Sequence, residues 1–183
     1  MAKEKTTKEK PVKEKKDKSS NPTRQIRIEK VVFNVGGTAE QLEKGVKLLR
    51  IITGRNPAKR KSHKRIPAFG VRPHLEVGAV VTIRKDVKEV LKRMLIAIDN
   101  KLKKKQMSVN NFSFGIKEYN EIPGMEYQRD IGIMGLDVTV VFKRAGRRVG
   151  IRKIKTGKIP LRQRISKEEI IKFMEENFQT EFS

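Results

Sequence analysis

The sequence contains no cysteine and no tryptophan, and only 5% of its 183 residues are aromatic. Without cysteine, the chain has no disulfide, no thiol nucleophile and no cysteine-ligated zinc site. The small number of aromatic residues argues against a protein that binds single strands mainly by stacking bases on aromatic side chains. The composition fits a reducing compartment, although it does not by itself establish one.

Long apolar runs are also missing, and the longest, such as Met94 to Ile98, extend over a few residues. These runs are too short to cross a bilayer. The first residues are rich in lysine and lack the apolar core of a secretory signal. Because no segment is both basic and amphipathic over a long helix, a membrane-surface protein is disfavoured. We therefore expect a cytoplasmic protein that does not bind membranes.

Acidic residues are absent from two long stretches that are rich in lysine and arginine. The first basic stretch, residues 55–72, holds seven basic residues, and the second basic stretch, residues 143–164, holds ten. The whole chain has a net charge of +23. A compact protein with this charge repels itself, and binding to a polyanion relieves the repulsion while releasing counterions. The charge pattern therefore predicts a nucleic-acid-binding protein.

Residues 1–20 form a low-complexity segment with eight lysines, four acidic residues and three apolar residues. So few apolar side chains cannot offset the entropy lost on ordering. We predict a disordered basic tail, which either orders on RNA or serves only to increase solubility. The tail has a net charge of +4, so +19 remains on residues 21–183. We expect these residues to form a single RNA-binding domain.

The rest of the sequence alternates between patterns typical of strands and of helices. Helical spacing of apolar residues follows Thr38, Asp86 and Ser166, each placed where a polar side chain can cap a helix. Four lysines at positions 101, 103, 104 and 105 suit the carboxyl end of the second helix. Strands are expected near residues 24–35, 77–84, 112–116 and 131–142. The pattern predicts an α+β fold, with a mixed, largely antiparallel sheet covered by three helices on one face and a basic projecting loop.

The turn Gly36-Gly37-Thr38 lies between a predicted strand and a predicted helix. A phosphate-binding turn at the amino end of that helix is physically possible. The Gly-Lys-Ser/Thr ending of a phosphate-binding loop and the dinucleotide fingerprint are both missing. A tight turn is therefore favoured over a nucleotide site.

Few residues point to catalysis or metal binding. His63 and His74 have no cysteine and no acidic ligand near them in sequence, and contact with RNA is the favoured interpretation for both. A catalytic carboxylate pair is conceivable among the acids in the middle of the chain, but charge balance or a protein-facing surface is favoured. These acids are Glu118, Glu121, Glu126, Asp130 and Asp137. We expect no enzyme activity, no cofactor and no metal.

Six strings, in order and in register from Asn21 to Phe178, resemble the ribosomal protein L5 family, which binds 5S ribosomal RNA in the large subunit. They are NPTRQIRIEKVVFNVG from Asn21, ITGRNP from Ile52, FGVRP from Phe69, GAVVTIR from Gly78, NFSFGIKEYNEIPGMEY from Asn111 and DIGIMGLDVTVVF from Asp130. The start at NPTRQIRI, without a preceding folded helix, is similar to the archaeal branch of the family.

The resemblance implies five partners: 5S ribosomal RNA, large-subunit ribosomal RNA, a neighbouring 5S-binding ribosomal protein, peptidyl-site transfer RNA and a small-subunit bridge protein. It assigns 5S contacts to Asn34, in the VxNxG pattern, and to Thr82, in the VTxR pattern, and Arg84 of the same pattern is also expected to bind 5S ribosomal RNA. Arg55 occupies a position where the family usually has glutamine, so a phosphate or guanine contact is expected there. The string VGGTAE departs from the family's glycine-rich turn.

Two further sets of contacts are expected. The loop that approaches transfer RNA in the family corresponds to the first basic stretch, with Lys61, His63, Lys64, Arg65 and Arg72. The second basic stretch is expected to face ribosomal RNA through Arg147, Arg148, Arg152, Lys153 and Lys155. Two alternatives stay open at this point: an RNA-modifying enzyme that uses the Gly36-Gly37 turn for a cofactor, and an architectural protein that compacts DNA.

Overall fold

The computed structural model describes residues 21–183, and the predicted basic tail lies outside the described residues. The strands are β1 Arg27–Gly36, β2 Ala58–Lys61, β3 Glu76–Ile83, β4 Lys101–Leu102, β5 Met107–Ser108, β6 Asn111–Ile116, β7 Leu136–Lys143 and β8 Glu181–Phe182. The helices are α1 Ala39–Thr53, α2 Val87–Ile96, α3 Arg148–Ile151 and α4 Lys167–Phe178. None of the helices in this part of the chain is long and apolar enough to cross a membrane.

Six strands form one sheet in the order β2-β3-β1-β7-β6-β5, and every neighbouring pair is antiparallel. The short strands β4 and β8 pair in parallel in a separate two-stranded sheet. The α+β fold with a largely antiparallel sheet is therefore confirmed. Three helices were predicted, and the fourth, α3, is a single turn within the second basic stretch.

One face of the sheet is buried under helices because apolar residues alternate along each long strand. On β1, Val31, Phe33 and Val35 are at most 2% exposed, whereas the residues between them are partly exposed. The buried face packs against apolar residues of α1, α2 and α4, and Phe112 and Phe142 stack within it at 5.8 Å between ring centroids. The hydrophobic core therefore lies on one side of the sheet.

Helix α1 packs closely on β1 because Gly45 has no side chain. A Cβ atom at Gly45 would lie 2.7 Å from Val35 Cγ1. The helix ends at Gly54, whose φ of 65° is left-handed and whose N–H donates to Arg50 O at 2.8 Å, which confirms the predicted stop signal. Thr38 occupies the N-cap position as predicted, but its side chain makes no capping hydrogen bond.

Helix α2 differs from the prediction at both ends. Asp86 precedes it with a left-handed φ of 54° and makes no side-chain capping bond. The helix ends at Ile96, before the lysine cluster, because Asp99 and Asn100 adopt left-handed φ values of 54° and 57° and reverse the chain. The prediction that the lysines close this helix is wrong. Lys101 instead lies in β4, paired with β8.

Helix α4 begins as predicted. Ser166 Oγ accepts from the Glu169 N–H at 3.3 Å, and Glu169 Oε2 accepts from the Ser166 N–H at 3.0 Å. This reciprocal capping box satisfies two backbone donors at the helix start. The helix buries Ile170, Met174 and Phe178, whereas Ile171 and Phe173 are only partly buried.

Candidate nucleic-acid interface

The face of the sheet opposite the helices is called here the open face. Its residues alternate with the buried residues of the four long strands and are partly or fully exposed apart from Gly78. They include Lys30, Val32 and Asn34 on β1, Gly78, Val80 and Thr82 on β3, Asp137, Thr139 and Val141 on β7, and Asn111, Ser113 and Gly115 on β6. The open face is therefore a surface of mostly small and polar side chains, with valines among them, and none of the described helices covers it.

The two residues predicted from the family strings both lie on the open face. Asn34 is the Cα partner of Val80, and Thr82 is the Cα partner of Val32. Asn34 and Thr82 are therefore diagonal neighbours on adjacent antiparallel strands, at a separation of roughly 7–8 Å between Cα atoms in such sheets. Their side chains present hydroxyl and amide groups to the same region of the surface.

The structure adds three polar neighbours, of which the sequence analysis named only Asp137, as one of the central acids. Asp137 is the partner of Asn34, Thr139 is the partner of Val32, and Ser113 is the partner of Thr139. The signal in the sequence is the set of polar residues at alternate positions of β7, whereas the strand prediction rests only on the apolar residues between them. Asp137 had been grouped with the central acids, and the strand instead places it beside Asn34.

These five polar side chains have no internal partner in the described part of the chain. Across residues 21–183, the side chains of Asn34, Thr82, Ser113, Thr139 and Asp137 form no hydrogen bond or ion pair with another residue. Amide and hydroxyl groups both donate and accept, and a carboxylate accepts. The open face therefore offers donors and acceptors to a partner at no cost in internal hydrogen bonds.

Two glycines near the centre of the open face leave space where other residues would have side chains. A Cβ atom at Gly115 would lie 3.4 Å from Asp137 Oδ1, and one at Gly78 would lie 3.9 Å from Asn34 Oδ1. A glycine within a strand permits the close approach of another backbone or a ligand. Asp137 therefore stands next to an exposed position, Gly115, where a partner can reach the sheet itself, whereas Gly78 beside Asn34 is buried.

The charge on the open face is mainly positive. Arg60, Lys30 and the paired residues Arg27 and Lys143 lie on it by strand register. At the β2 edge, where the register shifts between Arg60 and Lys61, Glu76 lies 3.1 Å from Lys59 Nζ. Asp137 is thus the acid without an ion pair among the described open-face residues. A polyanion bound to this face would contact several cations and one hydrogen-bond acceptor, Asp137, near the centre of the face.

Arg55 and Arg84 lie at the margin of the sheet. Arg84 is exposed directly after β3, two residues beyond Thr82. Arg55 is exposed between the end of α1 and β2, and its N–H donates to Thr53 Oγ1 at 3.3 Å. Arg84 continues the alternation of Thr82 on the open face, whereas Arg55 follows α1, the helix that packs on the opposite face.

The first basic stretch forms an edge strand and a hairpin, residues 62–75, rather than an unstructured loop. Lys61 is the last residue of β2, which had not been predicted as a strand. The hairpin is closed by the pair of bonds between Ile66 and Val71, at 2.9 and 3.1 Å, and by Ser62 N–H to Leu75 O at 2.8 Å. The predicted contact residues His63, Lys64, Arg65 and Arg72 are exposed on it.

The tip of this hairpin combines charge with an exposed ring. Phe69 is 78% exposed and lies in a turn between Pro67 and Gly70. An exposed aromatic side chain next to lysine and arginine is suited to stacking on an unpaired base. His74 has a left-handed φ of 63° and is also exposed. The hairpin is thus a second basic surface, distinct from the open face.

The second basic stretch folds into a compact loop, and two of its predicted contact residues are partly used within the protein. Arg147 donates to Glu29 Oε2 and to Phe142 O. Arg152 Nε donates to Lys155 O at 2.6 Å. The remaining predicted residues are exposed and form no ion pair with another described residue; they are Arg148, Lys153 and Lys155.

Arg144 anchors this loop to α4. Its Nη2 lies 2.5 Å from Glu169 Oε1, and its Nη1 donates to Arg162 O at 3.2 Å. Burial opposes ionisation of Glu169, but hydrogen bonds from the Ser166 N–H and from Arg144 outweigh it. The pKa of Glu169 therefore lies below its ordinary value of 4.5.

The alternative sites gain no support from the geometry. The N–H of Gly37 donates to Val77 O at 3.1 Å, so that donor of the Gly36-Gly37 turn is not free for a phosphate. Within residues 21–183, no three histidine or acidic side chains are grouped in a way that could hold a metal ion.

Comparison with known proteins covers nearly all of the described residues. Residues 21–72 match the family model described as ribosomal protein L5, and residues 76–173 match the model that describes the C-terminus of the same ribosomal family. Similar proteins include large ribosomal subunit protein uL5 of Nanoarchaeum equitans, 42% identical over 85% of this chain and 95% of the relative. The uL5 proteins of Picrophilus torridus and Sulfolobus acidocaldarius are each 41% identical, over 87% and 88% of this chain and 94% and 93% of theirs.

Proposed function

Since the chain belongs to the ribosomal protein L5 family, and is therefore a component of the large ribosomal subunit that associates with ribosomal RNA, we propose that its open face binds 5S ribosomal RNA. The observation that carries the proposal is the set of polar side chains around Asn34 and Thr82, which lie together and have no partner within the described chain. In this function the protein holds 5S ribosomal RNA to the central protuberance.

Recognition by the open face suits a folded RNA better than a regular duplex. The face is broad and carries hydroxyl, amide and carboxylate groups that can bond to 2′-hydroxyls and to exposed base edges. Arg84, Arg55 and Lys30 at its margins supply phosphate contacts, which position the RNA without reading its sequence. Asp137 accepts hydrogen bonds from base amino groups or 2′-hydroxyls and repels a phosphate placed at the same point.

The basic hairpin, residues 62–75, serves a different RNA in this proposal. It extends from the β2–β3 edge and carries its own cations and an exposed ring at Phe69. Peptidyl-site transfer RNA is the partner that the family resemblance gives to this loop. The second basic stretch then faces large-subunit ribosomal RNA, and the remaining surface meets a neighbouring 5S-binding protein and a small-subunit bridge protein. The chain works in the cytoplasm as part of the ribosome, without catalysis.

The experiment that tests the proposal compares binding to 5S ribosomal RNA, a scrambled RNA of equal length and a DNA duplex across a salt series. We expect a clear preference for 5S ribosomal RNA at every salt concentration. Neutralising about six phosphates predicts a slope of roughly −4 to −5 for log affinity against log salt. Equal affinity for all three nucleic acids would instead indicate the architectural, DNA-compacting alternative, and a slope near zero would contradict the electrostatic contribution.

A further inference from the structure

A cavity of about 610 Å³ lies between the end of β7 and the compact loop of the second basic stretch. Its apolar lining residues with accessible surface include Val149 and Ile159, and Asn110 and Gln163 also line it, whereas the ring of Phe142 beneath it is fully buried in the core. The cavity is on a different part of the molecule from the open-face cluster around Asn34. Its volume lies within the range of about 300–1,000 Å³ that is typical of small-molecule sites.

The walls of the cavity are built by close packing. A Cβ atom at Gly150 would lie 2.8 Å from Ile159 Cδ1, and one at Gly157 would lie 2.8 Å from Val149 Cγ1. The Gly157 N–H donates to Val149 O at 3.0 Å, which ties the two sides of the loop together. The loop therefore holds its shape through contacts that larger residues at these glycines would break.

The back of the cavity contains a buried donor without a partner. Arg144 lines the cavity, its side chain is 9% exposed, and both terminal nitrogens are used by Arg162 O and Glu169. Its Nε is fully buried and has no hydrogen-bond partner among the described residues. A buried donor left unpaired costs free energy, but Nε has less than 1 Å² of accessible surface, so a molecule in the cavity cannot reach it.

The remaining polar groups of the cavity are donors or neutral amides. Asn110 uses its Oδ1 to accept from the Ile165 N–H at 2.8 Å, which leaves its NH₂ group without a bond to any described residue. Lys158 and Arg164 line the cavity without an ion pair to a described residue, and no carboxylate lines it. The cavity therefore combines apolar walls, an amide edge and positive charge.

We propose that this cavity binds one unstacked nucleotide of an RNA strand. The base lies between the apolar walls and bonds to the amides of Asn110 and Gln163, while the phosphate meets Lys158 and Arg164. This inference deepens the proposed RNA-binding function and rests on it. An acidic peptide would satisfy the cations, but its side chains would leave the apolar walls and the amide edge unused, so a nucleotide is the better match.

The probes for a test are the four nucleoside monophosphates and, separately, inorganic phosphate, added to ¹⁵N-labelled full-length protein. We expect each nucleotide to shift the Asn110 side-chain amide and the Gly150 and Gly157 amides in a saturable way. Shifts confined to other residues, or no saturation at millimolar nucleotide, would overturn the inference. If inorganic phosphate binds as tightly as the nucleotides, the cavity is only an anion site and the inference is overturned. Equal binding of an acidic peptide would overturn it as well.

Two matched variants isolate the cavity. Ala145→Phe adds a ring at a cavity-lining position, whereas Ile154→Phe alters a side chain of the same loop that is 77% exposed outside the cavity. Because the added ring would occupy part of the cavity, we expect Ala145→Phe to weaken nucleotide binding by at least about tenfold, or about 1.4 kcal/mol, and Ile154→Phe to leave it unchanged. If Ala145→Phe does not fold, Gln163→Ala, which removes an amide from the same edge, must weaken binding instead.

The same samples are tested against 5S ribosomal RNA, so that the two proposals can fail separately. If wild-type protein binds 5S ribosomal RNA but no nucleotide binds in the cavity, only the cavity inference is wrong. If the nucleotides cause saturable shifts but the protein shows no preference for 5S ribosomal RNA, the open-face proposal is wrong and the cavity inference stands. Equal nucleotide affinity in wild-type protein and a folded Ala145→Phe variant would exclude the cavity as the site.

Discussion

Arg144, directly after β7, and Glu169, in the first turn of α4, join two parts of the chain through an Nη2–Oε1 distance of 2.5 Å. The same glutamate completes the capping box with Ser166. One carboxylate therefore both starts the last helix and fixes the entrance of the second basic stretch. Losing its charge is expected to affect α4 and the basic loop together.

This pair predicts an acid-dependent loss of stability. The pKa of Glu169 is lowered in the folded protein, so its stabilising contribution is fully present above the ordinary value of 4.5 and is lost as the pH falls through the folded pKa. We expect Glu169→Gln to lower the melting temperature at pH 7, with a smaller difference from wild type below that folded pKa. Thermal unfolding of both proteins from pH 7 to pH 2.5 measures this.

The control for the acid prediction is Glu175→Gln, an exposed glutamate on α4 for which no side-chain bond is present in the described chain. Its melting temperature should follow that of wild-type protein at every pH. A difference between Glu169→Gln and wild type that is the same at pH 7 and at the lowest pH would show that the charge of Glu169 does not matter.

Asn34→Ala and Thr82→Val are expected to weaken binding to 5S ribosomal RNA while leaving the fold intact. Neither side chain bonds within the described protein, so its removal costs no internal hydrogen bond. Loss of one contact to RNA costs on the order of 1 kcal/mol. Asn120→Ala, at an exposed position in a short turn away from the sheet, is the matched control. A lower melting temperature with unchanged affinity would mean that these side chains support the fold instead.

Neutralising Lys61, Lys64 and Arg65 together is expected to spare 5S ribosomal RNA binding and to impair a later step. These residues lie on β2 and the hairpin that follows it, away from Asn34 and Thr82. Because each rim charge contributes modestly and in a salt-dependent way, only the triple variant should show a clear effect. Ribosomes carrying it should assemble at normal levels and hold peptidyl-site transfer RNA more weakly. Normal transfer-RNA occupancy, or failure to assemble, would assign the hairpin to another partner.

The sequence predicted the features that depend on local pattern. Alternation along β7 separates its buried and open sides, Gly54 stops α1, and Ser166 with Glu169 starts α4, because in each case the cause lies within a few residues. The end of α2 was predicted incorrectly, since the lysines after it favour a helix locally. There the chain reverses at Asp99 and pairs with β8, about eighty residues later in the sequence.

The candidate sites also combine residues that the sequence predicts with residues that only the structure brings together. Asn34 and Thr82 were identified from strings in the sequence, and strand alternation places them on one face. Their neighbours Thr139 and Ser113 come from other strands further along the chain, and only the register joins them. The cavity beside Arg144 is lined almost entirely by residues 142–164, and only Asn110 reaches it from elsewhere in the chain. Long-range pairing of this kind has no local signature.

The most direct measurement is the affinity of a Thr139→Tyr variant for 5S ribosomal RNA. Thr139 lies between Val32 and Ser113 in the middle of the open face, and tyrosine suits a strand, so the protein should fold while the ring blocks the surface. Ile96→Tyr, at a position 55% exposed on α2, places the same ring on the helix-covered side. If the open face binds 5S ribosomal RNA, Thr139→Tyr should lose at least about tenfold in affinity, or about 1.4 kcal/mol, and Ile96→Tyr should bind like wild type. Wild-type affinity in a folded Thr139→Tyr protein would contradict the assignment of the open face to 5S ribosomal RNA.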